Sequence, residues 1–396
     1  MKMKQEKSLL EHRGFILSRT EKENLTNGVY RYKCVNEALL EPYITPFWNF
    51  LARNLPVWVH PNVLTLVGSL SLLPAFFLYA YYSWSMESED VPLSVWMLAV
   101  LGIFLFQTLD NLDGKQARRL GLSSPIGDWF DHSLDILSLY LLISQVVTAI
   151  YHGATYHPID SIFAQLAPAV MHFFVFWDRR WTRELYIGPM SITEGQFVIM
   201  LVLTLGPVFG RAAWTTPRFG DYTAGDFVAW IAAGIFTIIS PLGIILRVIF
   251  HPERKDSLVT IFLRVLDIVV VYAGSMAWAW YSSTTVSNTR LMMWAVGLSA
   301  SNVATSMLMS ALMQGKNRGI IVAILPWIGA LNSYLGSPVP DFECTVAILT
   351  AALSIQLYLL CGTLHDMRGH LNYRLFHVNA EVQRRVEAEE KAAKTK

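Results

Sequence analysis

The chain has 396 residues, of which 53% are hydrophobic and only 15% charged, a mix too apolar for a water-soluble protein of this size and one that specifies a polytopic membrane protein. Lysines and arginines number 31 against 30 acids, so no basic excess recommends nucleic acid as a partner. The three scattered cysteines, Cys34, Cys344 and Cys361, suit neither a disulfide framework nor a zinc set.

Residues 1–35 are polar and mixed in charge, which predicts a mobile or loosely helical cytosolic arm. They hold no apolar core before a small-residue cleavage site, so the first true span is expected to serve as the internal targeting signal. Over 36–57 the apolar positions Leu39, Leu40, Tyr43, Phe47, Phe50 and Leu51 recur at helical spacing. That pattern predicts an amphipathic helix lying in the interface, with Trp48 and Trp58 as anchors. A soluble helix packed on the next domain would show the same periodicity.

The membrane domain is expected over 58–368. At about 20 apolar residues per crossing, the fold class is all-α with about ten transmembrane helices. They fall near 63–82, 94–112, 128–150, 160–177, 194–210, 226–249, 264–281, 291–313, 319–336 and 343–364. Charge orients them. With a cytosolic amino terminus, the cytosolic connections carry Lys115, Arg118, Arg119, Arg179, Arg180, Arg183, Arg247, Arg254, Lys255, Arg264, Lys316 and Arg318. The opposite connections carry only Arg211, Arg218 and Arg290. The loop Met86 to Pro92 and the turn Pro338 to Glu343 bear acids without Lys or Arg, as a lumenal side should. Residues 369–396 form a polar tail ending in a charged helical run that reads as a solvated face.

The stretch that the rest serves is 110–135, where an apolar segment runs into Asp110, Asp113, Gly114, Ala117, Arg118, Gly127, Asp131 and Asp135. Asp110 and Asp113 are i and i+3, Asp131 and Asp135 are i and i+4, so each pair shares one helix face. Anions at membrane depth cost roughly 2.5–3.5 kcal/mol each on insertion scales, which calls for a compensating cation. Pairing with Lys115, Arg118 and Arg119 would not require this double spacing. Oxygen donors, with no Cys and one His nearby, favour Mg2+, Ca2+ or Mn2+ over zinc, and two such ions are the usual companions of carboxylate clusters in phosphoryl transfer.

The string D-x-x-D-G-x-x-A-R-x8-G-x3-D-x3-D resembles the CDP-alcohol phosphotransferase family. Asp113-Gly114-Lys115-Gln116-Ala117-Arg118-Arg119 and Gly127-Asp128-Trp129-Phe130-Asp131-His132 are similar to its eukaryotic choline/ethanolamine branch. The resemblance implies transfer of phosphocholine or phosphoethanolamine from CDP-choline or CDP-ethanolamine to diacylglycerol, with release of CMP. It implies two ions, Mg2+ or Mn2+, held by Asp110, Asp113, Asp131 and Asp135. It also implies a homodimer, an endoplasmic reticulum or Golgi membrane, and an active site facing the cytosol. The run Pro61, Asn62, Thr65, Gly68 would lie beside the nucleotide.

Gly114 and Ala117 lack bulk, which suits either cytidine approach or close helix packing; the resemblance favours cytidine. Arg118 offers a planar fork for phosphate. His132 is the candidate general base, with Asp128 four residues earlier to orient it; Asp135 is the rival. In the resembling branch the orienting acid is usually Glu, one methylene longer. Glu194, in Ile192-Thr193-Glu194-Gly195, reads equally as a helix-capping residue or as a headgroup ligand, with Trp177 or Trp181 adding cation–π attraction. Two other readings are a CDP-diacylglycerol-dependent transferase acting on a polar alcohol, generally a shorter chain, and a cation transporter. A transporter would spread its acids along a pathway and carry paired broken helices.

Overall fold

The computed structural model describes residues 16–86, 91–150, 158–189, 192–218, 220–252, 257–316 and 318–394. Acids 87, 89 and 90 of the expected lumenal loop, together with Arg254 and Lys255, lie outside them.

Nine helices among the described residues are long and apolar enough to cross a membrane: α3 (Pro61–Tyr82), α4 (Leu93–Leu120), α5 (Pro125–Ala149), α6 (Pro158–Thr182), α7 (Ile192–Phe209), α8 (Ala224–Phe250), α9 (Leu258–Tyr281), α10 (Thr289–Met313) and α12 (Asp341–Leu371). Before them come α1 (Arg19–Thr26) and α2 (Glu41–Asn54), and α13 (Ala380–Lys394) follows. The tenth expected span is α11, Gly319–Tyr334, a shorter apolar helix broken at Ala323 and Ile324 ahead of Pro326.

The contacts of α11 nevertheless run the length of its neighbour α9. Gly319 abuts Asp267, Trp327 donates from Nε1 to the Val270 carbonyl at 2.9 Å, and the Tyr334 ring meets Tyr281 at 5.4 Å. At about 1.5 Å per residue such a helix is roughly 24 Å long, short of a bilayer core. It lies alongside the Asp267–Tyr281 part of α9 and runs in the same direction.

The core centres on α10, whose transmembrane window is wholly buried, packed on α6, α5 and α12. Local sequence sets the joints near the site. Gly121, at φ +66°, closes α4 in the left-handed conformation. Ser124 then caps α5 by accepting the Gly127 N–H, with Pro125 at the first helical position. His60 caps α3 in the same way, accepting the Asn62 N–H at 3.1 Å.

Three sequence expectations change. Trp48 is only 1% exposed and packs with Ala52, Leu64 and Leu112, so it anchors α2 to the bundle rather than to lipid; Tyr43, Phe47, Phe50 and Trp58 form the exposed apolar face. The described part of the amino-terminal arm is docked, not mobile. Ser18 and Glu21 make a capping box on α1, Glu21 also accepts from both Arg318 terminal nitrogens at 2.9 Å, and Asp366 accepts the Ile16 and Leu17 N–H groups at 2.7 and 2.8 Å. Strand β1 (Cys34–Asn36) then pairs in parallel with β2 (Leu185–Ile187), with Val35 opposite Tyr186. The tail is docked too: Val378 and Val386 are buried with Val57 and Leu120, and Arg119 pairs with Glu390 at 2.7 Å.

Candidate active site

The Pro61–Leu70 half of α3 packs against both α4 and α5 and holds them apart. Gly68 permits this, since a Cβ there would stand 3.3 Å from Leu109. Between the two helices opens a cleft of about 100 Å³, lined among others by Asn62, Thr65, Asp113, Gly114, Ala117, Arg118, Gly127, Asp128, Asp131 and His132.

Asp110, Asp113 and Asp131 converge: one carboxylate oxygen from each lies within 4.8 Å of the others. Asp135 is outside that trio, though its carboxyl interacts with that of Asp110. The donor set fits a divalent cation. Oδ1 of Asp131 and Oδ1 of Asp135 are both buried without a hydrogen-bond partner, and an uncompensated buried anion is among the costliest features a fold can carry. Thr65 donates to Asp113 Oδ2, holding one ligand from the first span. Asn62 Nδ2, beside Gly127, is likewise buried and unpartnered, a donor for a bound ligand.

His132 is oriented. Its Nδ1 lies 2.9 Å from both Asp128 Oδ1 and the Asp128 backbone oxygen. Both neighbours are acceptors, so Nδ1 carries the proton and Nε2 of the neutral ring keeps its lone pair. The shorter acid reaches the histidine without difficulty. Asp128 is itself fixed by a bidentate Arg179 fork at 2.9 and 2.5 Å and by the Tyr30 hydroxyl at 2.8 Å. Burial, and next the Asp128 charge, push the Tyr30 phenol upward, keeping it a donor.

Arg179 and Tyr30 belong to the candidate site, and sequence reasoning did not select them. Arg179 reads as a positive-inside charge at the end of α6, and no spacing rule ties it to an acid 51 positions earlier. Tyr30 belongs to the polar arm, where Tyr30-x-Tyr32 was the available sign; both rings line the cleft.

Arg118 is exposed at the rim with its guanidinium folded over Gly114, where a Cβ would stand 3.3 Å from Nη1. Glu194 is not among the residues lining the cleft. It is buried, and its carboxylate accepts the Leu40 N–H at 2.8 Å, tying α7 to the start of α2. Trp177 is fully buried and donates to the Ile261 carbonyl at 3.1 Å, while Arg180 stacks on Trp181. Neither ring faces the cleft as an open ammonium platform.

Residues 58–246 match the family model for CDP-alcohol phosphatidyltransferase. The chain is 25% identical over 398 residues, 92% of its length and 98% of the relative's, to an "Uncharacterized CDP-alcohol phosphatidyltransferase class-I family protein 3" of Dictyostelium discoideum. It is 35% identical over 186 residues to cholinephosphotransferase 1 of Gallus gallus, covering 47% of this chain and 54% of that one. For the Mus musculus protein of the same name the figures are 32% over 194 residues, 49% and 46%. The match thus spans about half the length of these cholinephosphotransferases, and the family-model segment holds the converging carboxylates and His132. Residues 58–246, a little under half of the chain, thus match the CDP-alcohol phosphatidyltransferase family as a domain, within a chain that carries nine candidate membrane-spanning helices among the described residues.

Proposed function

We propose that the protein transfers phosphocholine or phosphoethanolamine from CDP-choline or CDP-ethanolamine to the free hydroxyl of diacylglycerol, giving phosphatidylcholine or phosphatidylethanolamine and CMP. The observation that carries this reading is the convergence of three carboxylates from two helices beside a histidine whose free nitrogen is set by Asp128. Similarity to cholinephosphotransferases over about half of the chain supports the substrate class.

Asn62, Gly114, Ala117 and Arg118 border the cleft and would hold the nucleotide, the small residues admitting the base and ribose and Arg118 meeting phosphate. Asp110, Asp113 and Asp131, joined by Asp135, would hold Mg2+ or Mn2+, two ions in the full site, whose positive charge neutralises the pyrophosphate and departing CMP. His132 Nε2 takes the proton of the diacylglycerol hydroxyl as that oxygen bonds to the β-phosphorus and the bond to CMP breaks. Asp128 stabilises the imidazolium that results, while Arg179 and Tyr30 keep Asp128 in place. Asp135 remains the rival base. The reaction class suits an endoplasmic reticulum or Golgi membrane with the cleft facing the cytosol, and a homodimer.

The test is purified protein with diacylglycerol and labelled CDP-choline or CDP-ethanolamine, or with labelled CDP-diacylglycerol and a polar alcohol, each with and without chelator. Chelator-sensitive CMP release from the first set is expected; turnover of CDP-diacylglycerol alone would transfer the protein to the opposite chemistry. Asp131→Ala should abolish turnover while the protein still inserts. His132→Ala should lose most turnover but keep nucleotide binding, and an undiminished rate in that variant would move the base to Asp135.

A further inference from the structure

A second concavity, of about 520 Å³, opens at the carboxyl end of α12, lined by Arg368, Arg374, Leu375, Phe376 and His377. Asn372, at φ +48°, ends α12 in the left-handed conformation, and the following segment is pinned rather than loose. The Tyr373 hydroxyl meets His60 Nε2 at 3.3 Å and donates to the Leu122 carbonyl at 3.2 Å. Phe376 sets its ring edge-on to Phe130 at 5.8 Å, and Val378 is buried. Arg368 is therefore presented by the last turn of α12 and Arg374 by the formed loop that follows it. Neither has an ion pair among the described residues, and no acid lines the concavity; nearby Asp366 is engaged by Lys22 and by the amino-terminal arm.

Depth identifies the occupant. Arg368 stands one helical turn beyond Leu364, the last residue of the apolar run, or about 6 Å along the axis, which is headgroup level. Beneath it an exposed apolar face of the same helix continues toward the bilayer through Cys361, Leu357 and Leu353. Two arginines over an apolar track match a phosphate carried on acyl chains. A zwitterionic headgroup would bring an ammonium for which the concavity offers no carboxylate.

We infer that this concavity binds an anionic phospholipid of the leaflet on the aspartate-cluster side, distinct from both substrates. Its lining reaches the catalytic region at two points: Phe376 packs on Phe130, which precedes Asp131, and Tyr373, next to Arg374, holds His60, the cap of the helix that bears Asn62. Occupancy thus favours the conformation in which the cleft is assembled, and this part of the inference rests on the function proposed above.

The test begins with binding, which needs no turnover. Full-length protein in detergent is titrated with phosphatidylserine, phosphatidate or phosphatidylcholine and bound lipid is counted by native mass spectrometry, with inorganic phosphate as a separate arm. Anionic lipids should bind, phosphatidylcholine and inorganic phosphate should not compete, and Arg368→Gln with Arg374→Gln should weaken binding about thirty-fold, as expected for two interfacial arginines. Equal binding by the double variant, or by phosphatidylcholine, overturns the site. CMP release is then measured in phosphatidylcholine vesicles with and without 20% phosphatidylserine. Wild type should be stimulated about threefold and the double variant not at all, with equal rates for both in neutral vesicles; stimulation of both chains alike overturns the coupling. Absence of CMP release from any chain would speak against the proposed function while leaving the binding result to stand.

Discussion

Asp128 is the residue on which the geometry of the proposed base depends. Its two carboxylate oxygens serve His132, Arg179 and Tyr30 at once. Arg179→Lys keeps the charge but loses the fork, so kcat should fall about tenfold, the effect of roughly 1.4 kcal/mol, with little change in nucleotide KM. Tyr30→Phe removes one charge-assisted bond and should cost less. Steady-state kinetics on both variants checks this; a change confined to KM would place these residues at the nucleotide instead. His60 gives a dependence on pH. Burial, and next the neighbouring His377, push it down to about 4, and its Nδ1 must stay unprotonated to accept the Asn62 N–H. A histidine that is harder to protonate folded than unfolded contributes stability above its ordinary value near 6.5, and that contribution is lost as pH falls toward 4. The melting temperature in detergent should drop between pH 7 and pH 5, and His60→Asn, a cap that does not titrate, should flatten the drop.

Among the elements, those built on period and punctuation were legible beforehand. Apolar run length gave nine of the ten expected crossings, and the spacing of the four aspartates gave the convergence of Asp110, Asp113 and Asp131, with Asp135 outside the trio. What composition could not reveal were pairings across the chain. Glu194 has the sequence look of a cap or a ligand, and only the fold brings it to Leu40. Trp48 looks interfacial until Leu64 and Leu112 cover it. The docking of α1, β1 and α13 rests on partners over a hundred residues away, which no local pattern encodes. The short apolar helix α11 depends on close packing with α9: a Cβ on Gly329 would stand 2.3 Å from the Trp278 ring. Gly329→Ala should therefore destabilise the protein by about 1–3 kcal/mol through overpacking, read as a lower melting temperature. An unchanged value would mean that α9 and α11 can separate freely.

Across the whole molecule, both described ends are fastened at the same pole of the bundle, next to the cleft. Removing residues 1–29 deletes Glu21 and the N–H groups held by Asp366, leaving Arg318 and Asp366 without these partners. Loss of a partner from such a pair is costly, so the truncated chain should insert but melt several degrees lower, as fluorescence-detected unfolding would record. These fastenings also impose an order on biosynthesis. The opening segment leaves the ribosome first, yet its anchor Asp366 emerges some 350 positions later. The arm that carries Tyr30 can therefore be fastened at Asp366 only after α12 has been synthesised, so its docking is a late step of assembly.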